Sequence, residues 1–400
     1  MARTPLAVLV VALLLAAAPA ATAGPGDLDR RFGNSGTAYT ALLDGGWKGL
    51  VQRDGRIVVA GGIYRPGLLR LTPGGRRDRS FGEDGIASGE RSELLPFDLR
   101  REPGGGFRVA AGTVTTYSPP VELLRWTAGG RAASPLLHET PFLGPLGPGT
   151  LRPDGGAFVW SRQEIRAVAP DGTVDTSFGG GTVHRRDVGL GSFYGDVAVR
   201  GDGRLLISGT RERRPVILQL TPDGRPDPAF GDGGIAQAPF VGGPLAVLRN
   251  GDVLGAASGR GPRLARIFRL TPDGRRRFTR ALPWRARGGG WIADVAEGRR
   301  GRLYVLGNVV RRRRPFVVAT TRRGAPRPRF GRRGRALLPR PPRGFIHANE
   351  GNDLLLDRRG GLLVVGLHYR DGVGHPVFGC GCREDFSAGT VRVAVWRLRA

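Results

Sequence analysis

The chain of 400 residues predicts an all-β fold: a seven-bladed β-propeller with four antiparallel strands per blade, spanning residues 24–400 as a single domain. Three observations predict it. One motif recurs seven times in a fixed order, its apolar runs are short and punctuated by turn dipeptides, and the two ends of the chain carry complementary pieces of one copy.

The clearest copy runs Asp196-Val-Ala-Val-Arg-Gly-Asp-Gly203, then Arg204-Leu-Leu-Ile-Ser-Gly209, Val216-Ile-Leu-Gln-Leu-Thr-Pro-Asp-Gly224 and Asp227-Pro-Ala-Phe230-Gly231-Asp-Gly-Gly-Ile-Ala236. Its second element returns at Ile57–Gly61, Phe107–Gly112, Ala157–Ser161, Val253–Ala257, Leu303–Gly307 and Leu362–Gly366. Phe-Gly closes the copies at Phe32, Phe81, Phe178, Phe230 and Phe330, with worn versions near Ala133 and at Phe278. Runs of about 4–8 apolar residues are too short for helices and fit strands. Asp54-Gly55, Asp154-Gly155, Asp202-Gly203, Asn250-Gly251 and Asp223-Gly224 supply the positive φ that tight hairpins need. Each copy is therefore a four-stranded meander, and seven of them bury both faces only when packed radially around an axis. The first Phe-Gly element stands alone near the start, and Val391–Leu398 lacks the Phe-Gly element that should follow it. Residues 35–42 are thus expected to form the outermost strand of the blade whose other strands lie within 351–398.

The pattern Asp-x-x-Phe-Gly-x-x-Gly after a Thr-Pro-Asp-Gly hairpin resembles the bacterial delta-60 repeat family, whose members are associated with β-propeller domains of unknown function. The resemblance is strong at Asp78–Ala87, Asp175–Val183 and Asp227–Ala236, and poor around Gly129–Leu137 and Arg275–Leu282. It implies the propeller and carries no activity with it.

Residues 1–23 read as a secretory signal peptide: Arg3, an apolar run from Leu6 to Ala18, and Ala21-Thr22-Ala23 as a small-residue cleavage site. The mature protein is expected to begin near Gly24, to be secreted or extracytoplasmic, to lack a transmembrane segment and to be monomeric. Sixty-two Lys and Arg against 34 Asp and Glu give a formal charge of +28, yet Lys48 is the only lysine. Heavy Ala, Gly, Pro and Arg is the composition of a GC-rich coding sequence, so part of this excess is compositional. What stands out locally is the sixth repeat, with Arg311–Arg314, Arg322, Arg323, Arg327, Arg329, Arg332, Arg333, Arg335, Arg340 and Arg343. That run is either a solvated face or a site for an anionic cell-wall polymer or lipid headgroup. Export and the scarcity of interleaved aromatics argue against nucleic acid.

Two constellations carry candidate chemistry. Counting back six residues from each inner hairpin gives Lys48, Asp98, Pro148, Asp196, Pro244, Asp294 and Asp353. The aspartates Asp98, Asp196, Asp294 and Asp353 are expected to face the axial channel. There they either bind a hard cation such as Ca²⁺ or accept hydrogen bonds from the adjacent blade's backbone. The only long insertion, residues 367–390, holds His368, His375, Cys380 and Cys382. These four could ligate zinc or copper, although Cys-Gly-Cys departs from the Cys-x-x-Cys knuckle; in an oxidising compartment Cys380 and Cys382 are expected to form a local disulfide, with free or intermolecular thiols as the other option. No Gly-x-Ser-x-Gly, phosphate-binding glycine loop or His-Glu-x-x-His is present. The sequence thus reads as a non-enzymatic exported binding or interaction scaffold for a polymer or a surface protein. The alternative is a lactonase-like metal-assisted hydrolase with its cation at the channel mouth.

Overall fold

In a computed structural model, residues 23–40, 43, 45–62, 65–89, 94–112, 121–138, 149–258, 264–285, 290–309, 314–339, 347–370 and 391–400 are described. They form seven four-stranded antiparallel sheets. The first strand of every sheet contacts the first strand of the next all the way round, so these strands line the axis. Blades are numbered from the sheet of Gly46–Val51, Ile57–Gly61, Gly67–Leu71 and Ile86–Ser88. Blade four begins at Ser192–Val199, blade six at Gly290–Glu297 and blade seven at His347–Leu356.

The core follows from the radial plan. A buried apolar cluster occupies each of the seven blade interfaces, built from the facing sides of adjacent sheets. Strands buried on both sides explain why Ile57–Gly61 and the run 362–366 read as continuous apolar stretches rather than alternating ones.

The Phe-Gly motif is the joint between blades. Phe32, Phe81, Phe178, Phe230 and Phe330 are fully buried. The glycine after each has φ between 53° and 60°. Its N–H donates to the next blade's outer hairpin: Gly33 to Gly74 O at 2.7 Å, Gly82 to Gly129 O at 2.8 Å, Gly179 to Asp223 O at 2.9 Å and Gly231 to Asp273 O at 2.8 Å. A Cβ at Gly231 would lie 2.1 Å from the Ile235 carbonyl oxygen, which is why only glycine fits. Three residues before Phe32, Phe81, Phe178 and Phe230 an aspartate makes a local turn, as in Ala229 N to Asp227 Oδ1 at 3.0 Å, whereas Arg327 stands before Phe330.

Closure takes the expected form. Thr37–Thr40 pairs with Val391–Leu398 as the outermost strand of blade seven. Residues 24–29 also take the place of that blade's missing outer hairpin, since Gly331 N of blade six donates to Pro25 O at 2.7 Å. Two further bonds, Gly26 N to Arg399 O at 2.6 Å and Asp29 N to Arg397 O at 2.9 Å, fix this segment to the last strand.

The worn copies differ for a physical reason. In blades two and five the third strand turns directly into the fourth, pairing Trp126 with Ala132 and Leu270 with Arg276, so no Phe-Gly loop is made. Phe278 is therefore a mid-strand residue. Its ring still covers Gly324 of the next blade, as Phe32 covers Gly75.

Candidate functional site: an axial charge ring and an arginine face

Five ionisable side chains converge on the axis. Lys48, Asp98, Asp294 and Asp353 each stand immediately after a register shift in the first strand of their blade, and Asp196 lies within one, between Phe193 and Val197. Such bulges re-aim a side chain that regular pleating would send elsewhere. Blades three and five place Pro148 and Pro244 at this position; Pro148 lies outside the described residues, and Pro244 precedes an inner strand with no register shift.

Each carboxylate joins its own strand to the next blade. Asp98 accepts from Leu99 N at 2.8 Å, Leu151 N at 2.8 Å and Thr150 Oγ1 at 3.1 Å. Asp294 accepts from Val295 N and Leu354 N, both at 2.7 Å. Asp353 accepts from Gly49 N at 2.8 Å and faces Lys48 Nζ at 3.4 Å. Asp196 accepts from Val197 N at 2.9 Å and lies 3.5 Å from Leu245 N. Burial raises the pKa of Asp196, with Lys48 opposing the rise; at Asp294 burial raises it well above the ordinary range, and neighbouring Asp353 adds to the shift. For Lys48, burial alone would lower the pKa, but the four carboxylates, Asp353 foremost, hold the ammonium above its ordinary value. The counting argument therefore places all four aspartates in one ring. Counting also puts Lys48 at this position; what it does not give is the ammonium's part as counterion to the carboxylates, and nothing in the sequence marks the bulges that bring these side chains together.

The arginines divide into two groups. Arg70, Arg108, Arg200, Arg269 and Arg397 are clamps, each reaching a carbonyl of the following blade: Ala128 at 3.2 Å, Pro170 at 3.0 Å, Gly251 at 2.6 Å, Arg322 at 3.0 Å and Pro73 at 3.2 Å. Blade six supplies the other group, although its Arg299 and Arg314 still bond carbonyls. Arg300, Arg323, Arg327 and Arg332 stand where blade four has Asp202, Asp223, Asp227 and Asp232. None of the four guanidinium groups has a hydrogen bond or ion pair among the described residues. Arg311–Arg313, Arg340 and Arg343 lie outside those residues.

A cavity of about 790 Å³ opens where blades seven and one meet, between the hairpin tips at Arg53–Gly55 and Asp357–Gly361 and the last strand. The insertion is only partly described. Residues 367–370 continue a strand, and His368 is buried with its ring 5.6 Å from that of Tyr39. His375, Cys380 and Cys382, and so the disulfide and metal readings, lie outside the described residues. Among the described residues no group of three or more His, Cys, Asp or Glu is placed to hold a metal ion, and no helix is long and apolar enough to cross a membrane.

Residues 52–81 and 200–230, in blades one and four, match the model of a domain of unknown function described as a DUF5122 β-propeller. No curated protein matches the chain. Among solved structures it is similar to a protein of unknown function from Bacteroides caccae, at 14% identity over 74% of this chain and 88% of that one, TM-score 0.37. It is also similar to BBS1N solved in complex with ARL6DN, at 12% identity over 90% and 95%, TM-score 0.47. A third is a candidate gluconolactonase, at 15% identity over 76% and 89%, TM-score 0.40.

Proposed function

We propose that this β-propeller is a non-enzymatic binding scaffold that works outside the cytoplasm and takes an anionic polymer as its partner. The observation that carries this reading is the replacement of four turn aspartates of blade four by four arginines in blade six, with none of the new guanidinium groups given an acidic partner among the described residues. Arginine presents a planar fork of donors that suits phosphate and carboxylate groups, and a row of them on rigid hairpins binds a repeating anion by many weak contacts. The axial carboxylates, in contrast, are engaged with backbone N–H groups and Lys48, which suits a role in holding the ring. The leader-like residues 1–23 support a location beyond the membrane.

The test is binding of the purified protein to poly(glycerol phosphate) and to neutral dextran over a salt series. Retention on the anionic polymer only, weakening steeply as salt screens the contacts, is expected. Equal behaviour on both polymers would overturn the reading. So would calcium-dependent turnover of a lactone, which would favour an axial cation site instead.

A further inference from the structure

We infer that the cavity at the seam between blades seven and one is a phosphate-type oxyanion site, the point at which the proposed polymer is gripped rather than merely attracted; this rests on the scaffold reading above. The cavity has basic walls. Arg53 and Arg359 occupy adjacent blades' inner hairpin tips, Arg358 precedes Arg359, and Arg31 comes from the segment that closes the ring. All four are exposed, and none has a side-chain hydrogen bond or ion pair among the described residues.

The acids lining the same cavity are engaged by other arginines. Asp54 pairs with Arg56 at 2.5 Å, while Asp357 holds Arg397, whose Nε also lies 3.6 Å from Asp29. Arg397 is itself fixed by the Pro73 carbonyl, and Arg399 by Ala23 O at 2.8 Å. Arg56 and Arg397 between them engage the three carboxylates, and four unengaged arginines line the opening. Repeat register sharpens the point: the hairpin position held by Asp54, Asp154 and Asp202 in blades one, three and four is Arg300 in blade six and Arg359 in blade seven. The two hairpins touch, Arg299 Nη2 donating to Arg358 O at 3.3 Å, so a basic hairpin of blade six adjoins the cavity's wall at Arg358.

A guanidinium fork binds a tetrahedral oxyanion bidentately, and several of them around one concave space favour a multivalent anion over a single carboxylate. Because blade one, blade seven and residues 24–31 all contribute, the site exists only in the closed ring.

Calorimetry with inorganic pyrophosphate tests this on the full mature chain. The wild-type protein should bind one equivalent, and R53S/R358S/R359S should lose about tenfold or more in affinity with an unchanged melting temperature. A control variant at exposed arginines far from the cavity and from blade six, R186S/R211S, should keep it. Absence of pyrophosphate binding, or equal losses in both variants, would overturn the site. The scaffold reading fails separately: pyrophosphate bound in the cavity while poly(glycerol phosphate) is ignored would leave the site standing and remove the polymer.

Discussion

Blades four and six have the same strand order and the same turns, yet at four corresponding positions one carries aspartate and the other arginine. In blade four the acids serve the fold. Asp202 pairs with Arg204 at 2.6 Å, and Asp227 accepts from Ala229 N at 3.0 Å, from Gln219 Nε2 at 2.6 Å and lies 3.0 Å from Arg204 Nε. Blade six does without these bonds. Arg327 Nη1 is buried with no partner, and Arg300 adopts φ 59°, a left-handed conformation that a side chain with a Cβ resists. Both blades keep the fully buried Phe and the glycine N–H bond to the following blade, Gly231 to Asp273 O and Gly331 to Pro25 O. The joint therefore holds the blade, and the turn acids are an addition that blade six has exchanged for charge of opposite sign.

The largest effect should be the same in both blades. Phe230→Ala and Phe330→Ala are each expected to cost about 3–5 kcal/mol in denaturant unfolding, through cavity formation at a blade interface. A loss confined to blade four would break the claim that the joint is shared.

Next come the acids and their replacements. Asp227→Ala should cost about 1–3 kcal/mol because it strands a buried amide and a backbone N–H. Arg327→Ala should stay within about 0.5 kcal/mol of wild type, as expected where no partner is lost.

The axial ring supplies a reference common to all blades. Lys48→Met should destabilise by roughly 1–3 kcal/mol at neutral pH, since the ammonium balances four carboxylates in a partly wetted channel. Its pH dependence has a definite sign. Losing Lys48 raises the folded-state pKa values of Asp196 and Asp294 further above their unfolded values, so the stability these groups contribute is present at low pH and lost as pH rises through the folded values. The deficit of the variant, read from melts across pH, should thus narrow toward acid pH. A deficit that widens on acidification would contradict the ring's electrostatics.

The smallest effect concerns strain. Arg300→Asn should raise stability by about 0.5–1 kcal/mol, asparagine tolerating positive φ better than arginine.

Much of the fold was legible because local turn chemistry dictates it. Asp-Gly hairpins need positive φ, Phe-Gly needs a glycine that no Cβ can replace, and the stray element around Thr37–Thr40 had one sheet left to complete. The axial aspartates were legible by counting from the hairpins. Their partners were not, because a bulge is a property of two strands together and leaves no mark in one; Lys48 looked like an exception to the ring and is its counterion. Phe278 misled for a similar reason, its spacing resembling a Phe-Gly turn while a direct hairpin had absorbed the loop. The charge reversal was readable only by laying repeat four over repeat six. The seam cavity, which joins residues more than 300 positions apart such as Arg53 and Arg358, required the closed ring.

Binding by the arginines of blade six is what makes this propeller a scaffold for an anionic polymer. The most direct measurement is the affinity of R300D/R323D/R327D/R332D for poly(glycerol phosphate) beside that of the wild-type protein, with both melting curves in hand. Restoring the acids of blade four should leave the fold intact and weaken binding by about 30-fold or more at low salt. Unchanged affinity in a folded variant would contradict it.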